Sequence, residues 1–132
     1  MTSKVNYLGN LRTSCVHLSS GNTIITDAPI DNFGKGEAFS PTDLVATSLA
    51  SCMLTIIGIY CQNHEINFLN GSVEVEKIMT NGPRRIEKIH LNVDLNGNNW
   101  DATTKNKVIA AGKACPVAKT LEGNVEMEFN FI

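Results

Sequence analysis

Apolar residues recur along this chain with two different periods, and each switch between them marks an element. Short β-branched runs at 4–8, 13–18 and 23–26 are separated by Gly9-Asn10 and by Ser19-Ser20-Gly21-Asn22, which predicts three strands joined by tight turns. Residues 27–39 are rich in Gly, Pro, Asp and Asn and read as a loop of the length that often carries function. Ser40-Pro41-Thr42-Asp43 then predicts a helix start: Ser40 as N-cap, Pro41 at the first helical position, and Asp43 reaching back as in a capping box. From 44 to 61 the chain is apolar on nearly all sides, through Leu44, Val45, Leu49, Met53, Ile56 and Ile57, so the expected helix is buried on most of its faces. Ala46, Ser48, Ala50, Ser51 and Gly58 would let neighbouring backbones come close.

In the second half, Val73 and Val75 alternate with Glu74 and Glu76 before a turn at Asn81-Gly82-Pro83, and 86–95 continues as the return strand of a hairpin with one polar face. Gly97-Asn98-Asn99 breaks that strand. A helix is expected from Thr103 or Thr104 to Lys113, and a shorter one over 116–121, ended by Gly123. Val125, Met127, Phe129 and Phe131 alternate with Glu126, Glu128 and Asn130, giving a last strand with a single apolar face and its carboxylates in solvent. Strands and helices without regular alternation favour the α+β class.

Composition narrows this picture. A chain of 132 residues, 42% hydrophobic and 18% charged, is expected to form one domain over 1–132. Its net charge is -2 and it holds no basic block, which argues against nucleic acid as a partner. Residues 44–61 include Thr47, Ser48, Ser51 and Thr55 and fall short of the roughly 20 apolar residues of a spanning helix, so a core helix and no membrane partner are expected. The N-terminus shows no apolar signal segment. With four cysteines, that points to a reducing, cytoplasmic setting with free or catalytic thiols.

Two of those thiols stand out. Cys52 lies inside the long helical segment, with Ser48, Leu49, Ile56 and Tyr60 on roughly the same side. Its apolar wall suits an organic substrate, and because such surroundings raise a thiol's pKa, a reactive Cys52 needs a cation or donor nearby. Cys115 precedes Pro116 and is expected to be an N-cap at the positive end of a helix dipole. A thiol in a helix and another at a helix start suit a reaction in which one is oxidised and the other resolves it. Cys15, in a strand, and Cys61, at a helix end, read as structural. His17, His64 and His90 lack metal-ligand spacing, and Gly34-Lys35-Gly36 is too short for a phosphate loop. Asp27 reads as a turn residue and Trp100 as a packing anchor.

Residues 40–52, SPTDLVATSLASC, resemble the first cysteine motif of the OsmC-like proteins, the group that includes the organic hydroperoxide resistance proteins. Residues 114–121, ACPVAKTL, resemble the second, and YLGNLR at 7–12 and TDAP at 26–29 are also similar to that group. The resemblance implies an OsmC-like α+β fold, with antiparallel sheets around a long buried central helix, in an intertwined homodimer whose active sites lie at the subunit interface. It implies a thiol peroxidase that reduces organic hydroperoxides, and hydrogen peroxide less selectively. Cys52 would be the peroxidatic cysteine and Cys115 the resolving one. No metal, haem or flavin is implied, and a dithiol reductant, such as a lipoyl group on a partner protein, restores both thiols. Active branches pair the first cysteine with an Arg and a Glu. Here Thr42 follows the helix-start proline where the organic-hydroperoxide branch carries Glu. Glu37 is the candidate carboxylate, Arg12 the candidate guanidinium, and Lys35 an alternative cation. Two other functions suit the same scaffold: a non-catalytic binder of small hydrophobic ligands, and a thiol redox sensor.

Overall fold

The computed structural model describes residues 1–132, and the chain divides into two compact units, 1–45 and 46–132. The first unit is an antiparallel meander of β1 (Ser3–Gly9), β2 (Arg12–His17) and β3 (Thr23–Asp27). Asn10 and Leu11 both take positive φ, 53° and 62°, in the tight β1–β2 turn. The register pairs Val5 with Cys15, Cys15 with Ile24, and Arg12 with Asp27. Little of this sheet is covered: Val5, Tyr7, Leu8, Ile24 and Ile25 are exposed, while Thr26 and Asp27 are buried.

The loop after β3 is held by its own backbone. Asp27 N–H donates to Phe39 O, Ala28 N–H to Leu11 O, and Gly36 N–H to Ala28 O. A short 3-10 turn, Ile30–Asn32, lies within it where no regular element was expected. Gly34 packs so closely on this loop that a Cβ there would sit 1.7 Å from Ala28 O, so only glycine fits.

Helix α1 (Pro41–Asn63) starts as its sequence predicts. Ser40 N–H donates to Asp43 Oδ2 at 2.9 Å and Asp43 N–H to Ser40 Oγ at 3.0 Å, a reciprocal box with Asp in the place of Glu. The division between the units falls within this helix, after Val45. One chain buries one face of it, through Ala46, Leu49, Ala50, Met53, Ile57 and Cys61, and leaves Val45 and Ile59 exposed.

The second unit packs that face into a core with Ile89, Leu91, Val93 and Leu95 of a three-stranded sheet, and with Val108, Cys115 and Ala118. The sheet runs in the order β4 (Ser72–Thr80), β5 (Arg85–Asp94), β6 (Glu126–Phe131). The expected hairpin is β4–β5, but the sheet is mixed rather than antiparallel, because β6 lies parallel to β5. The intervening α2 (Ala102–Lys113) and α3 (Pro116–Leu121) form a crossover that carries the chain back, so β6 enters in the same direction as β5. At Gly112 of α2 a Cβ would meet Ile57 Cγ1 at 2.9 Å and Met53 Cγ at 3.1 Å, so the glycine sets how closely α2 approaches α1.

Trp100 does act as an anchor. Its Nε1 donates to Asn67 O at 2.8 Å and its ring packs on Phe68. Beside it, Asn98 accepts from Leu69 and Asn70 and donates to Leu95 O and Asn70 O, which closes the α1–β4 connection.

Candidate active site

Cys52 sits mid-helix in α1, half-buried, and Cys115 is fully buried at the start of α3. Although far apart in the chain, the two thiols are neighbours within the second unit, close enough for Cys52 to act on the Cys115 thiol, and both are free. Cys115 is the N-cap of α3, as its sequence predicts, and its Sγ accepts from Ala118 N–H at 3.4 Å.

The electrostatic expectation for Cys115 is reversed. A helix start favours a thiolate, but burial pushes the Cys115 thiol up, and the neighbouring Cys52 adds to the rise. The Ala118 and Val117 amides act in the opposite sense and do not offset it. The helix supplying the dipole is one of only six residues, while the sulfur is removed from water altogether. Cys115 therefore keeps its proton.

Cys61, at the far end of α1, is buried, and burial raises its pKa as well. It packs as a small apolar residue. Cys15 on β2 is half-buried, with Thr13 Oγ1 at 3.7 Å from its sulfur.

The first unit brings the candidate Arg and Glu together. Arg12 Nη2 lies 4.0 Å from Glu37 Oε2, and Arg12 Nε lies 4.0 Å from Asp27 Oδ1. Lys35 is exposed, and Arg12 is the cation that meets Glu37. Asp27 is not the turn residue its neighbours suggested. It ends β3 at 1% exposure, and its Oδ2 accepts the Glu37 N–H at 3.0 Å. The signal for it was in the register: once the two turns are placed, Arg12 and Asp27 fall opposite each other on adjacent strands. Thr42, the residue after the helix-start proline, has its hydroxyl 3.2 Å from Ser40 Oγ.

The histidines each have local partners. His17 lies between Ser19 and Ser20, and His64 bonds to Tyr60 O and stacks on the Tyr60 ring. His90 bonds Glu128 and Asn92. A cavity of about 270 Å³ lies beside Trp100 and Asp101, and another of about 280 Å³ beside Cys15, Val16 and Ile24; neither is lined by Cys52 or Cys115.

The family model for OsmC-like protein matches residues 34–130. A crystal structure from Psychrobacter arcticus 273-4, of a protein provisionally described as osmotic stress induced and a detoxification response protein, is 49% identical with a TM-score of 0.93, covering 100% of this chain and 96% of that one. The organic hydroperoxide resistance protein OsmC of Legionella pneumophila superposes with a TM-score of 0.77 at 18% identity, over 98% of this chain and 93% of that one. The organic hydroperoxide resistance protein OhrB of Bacillus subtilis does so at 0.73 and 18%, over 100% and 98%. At such identities the likeness to the last two is one of fold. No curated protein sequence matches this chain. The motif match over most of the sequence and the near-half identity across its full length agree: the chain belongs to the OsmC-like family.

Proposed function

We propose that this protein is a thiol-dependent peroxidase that reduces organic hydroperoxides, with Cys52 as the attacking sulfur and Cys115 as the resolving one. The observation that carries this reading is that two thiols from different family motifs, 63 positions apart in the chain, are brought together as neighbours within one unit. The Cys52 thiolate attacks the terminal peroxide oxygen, the O–O bond breaks, and the departing alkoxide takes up a proton to leave as an alcohol. Cys52 becomes a sulfenic acid. The Cys115 sulfur then attacks the Cys52 sulfur and gives up its proton, hydroxide leaves as water, and a disulfide forms. A dithiol, such as a lipoyl group presented by a partner protein, takes the disulfide through two exchanges and is itself oxidised. Arg12 and Glu37 are proposed as the pair that favours the thiolate and orients the peroxide, as the family resemblance implies. Their mutual approach, despite the absence of Glu after Pro41, supports that assignment.

The working form proposed is a homodimer. In support, the first sheet exposes Val5, Tyr7, Leu8, Ile24 and Ile25, and α1 exposes Val45 and Ile59, large apolar side chains that a second copy would cover. Light scattering on the purified protein is expected to give twice the 14.3 kDa chain mass.

The test is to treat the reduced protein with cumene hydroperoxide and follow intact mass, peptide maps and turnover with dihydrolipoamide. A Cys52–Cys115 link and steady turnover are expected. Cys115→Ser should stop at a species one oxygen heavier, and Cys52→Ser should consume no peroxide. Unchanged consumption by Cys52→Ser overturns the proposal.

A further inference from the structure

We propose that Asp27 is a positioning residue for the reaction: one buried carboxylate that fixes both Arg12 and the backbone of Glu37. This rests on the role proposed above for Arg12 and Glu37 and extends it to a residue that does not itself touch substrate.

Three observations meet at this side chain. Asp27 is 1% exposed, and a carboxylate removed from water in this way requires charged or hydrogen-bonded partners. Its Oδ2 holds the Glu37 N–H at 3.0 Å across ten residues of loop, so it sets where the Glu37 side chain departs from the backbone. Its Oδ1 faces Arg12 Nε at 4.0 Å, and these two buried atoms have no hydrogen-bond partner. The guanidinium is thus drawn by Asp27 on its Nε edge, while its Nη2 reaches Glu37 at 4.0 Å.

The surroundings make the carboxylate a fixed point. Arg12 and Asp27 are register partners on β2 and β3. Thr13 and Thr26, the next pair along the strands, are joined through their hydroxyls. The Asp27 N–H is tied to Phe39 O, and the Ala28 N–H to Leu11 O. Arg12 and Glu37, by contrast, are 36% and 58% exposed, and exposed ion pairs hold long side chains weakly. The buried acid supplies the rigidity that pair lacks, in the way that outer partners orient the groups which meet a substrate.

The experiment is a double-mutant cycle on Asp27→Asn and Arg12→Ala, with the second-order rate of Cys52 oxidation by cumene hydroperoxide and the melting temperature measured for each variant. Asn keeps the shape and an acceptor for Glu37 N–H but removes the charge facing Arg12. Asp27→Asn is expected to slow oxidation by about 100-fold, the scale of a misplaced group. Added to Arg12→Ala it should cost nothing further, because both changes remove one guanidinium position. Effects on the rate that multiply, or an unchanged rate in Asp27→Asn, overturn the proposal. Amide exchange of the unmodified protein tests it separately, without any peroxide and without a variant that must fold. The Glu37 N–H should be protected despite its exposed side chain, and a freely exchanging Glu37 amide overturns the anchor. A wild-type protein that protects this amide and consumes no hydroperoxide overturns the proposed peroxidase and leaves the anchor standing.

Discussion

At the scale of single residues, burial sets the protonation of two thiols. Cys115 and Cys61 are held as neutral thiols by desolvation, and Cys115 keeps its proton although it caps a helix. Iodoacetamide should therefore modify Cys115, in a Cys52→Ser background, only above the ordinary thiol range, with the pH profile of its labelling displaced upward. Mass-mapped rates check this, and a profile displaced downward would overturn it. His90 and Glu128 show the other electrostatic regime. Glu128 is held below the usual carboxylate range, first by the Lys88 hydrogen bond and then by His90. His90 is raised, first by Glu128 and then by Asn92, with Glu76 adding a smaller attraction. The two signs are opposite in pH. The Glu128 contribution is present above the ordinary carboxylate range and fades as pH falls through its lowered value. The His90 contribution is full below about pH 6.5 and fades as pH rises through its raised value. Thermal midpoints should decline gently from slightly acid to slightly alkaline pH, and His90→Gln should flatten that decline.

At the scale of elements, local rules account for most boundaries. The Ser40–Asp43 box starts α1, Asp101 caps α2 through its bond from Thr104 N–H, and Cys115 with Pro116 starts α3. Ser40→Ala removes one side of the α1 box and should cost about 1 kcal/mol in urea unfolding. Ser40 is itself buried, which places that measurement at a site where water cannot substitute for the lost acceptor. Helix contact is set by glycine instead. Gly112→Ala forces a Cβ against Ile57 and Met53, two residues with no exposure, and should cost about 1–3 kcal/mol as overpacking. Both values come from chemical denaturation. A neutral Gly112→Ala would mean that α2 can shift away from α1 without loss.

At the scale of the whole molecule, the apolar core belongs to the second unit, where one face of α1 meets the mixed sheet. Leu49→Ala, at the centre of that face, should destabilise the protein by about 2–5 kcal/mol in denaturant unfolding. Local spacing is enough to specify the strands, the three helices, the α1 cap and the two cysteine motifs that carry the family, because each is written in period 2, period 3.6 or a capping residue. It did not determine that β6 returns parallel to β5, since alternation marks a strand's faces and not its direction. Nor did it decide the state of Cys115, because a cap can be read from neighbours in the chain but desolvation depends on what else packs around the sulfur. The role of Asp27 lies in the same gap. Its own segment reads as a turn, and only the pairing of β2 with β3 and the folding back of the loop enclose its carboxylate between Arg12 and the Glu37 amide. Local sequence fixes what each segment becomes, and tertiary structure decides which groups lose water and which charges meet, because both depend on residues distant in the chain.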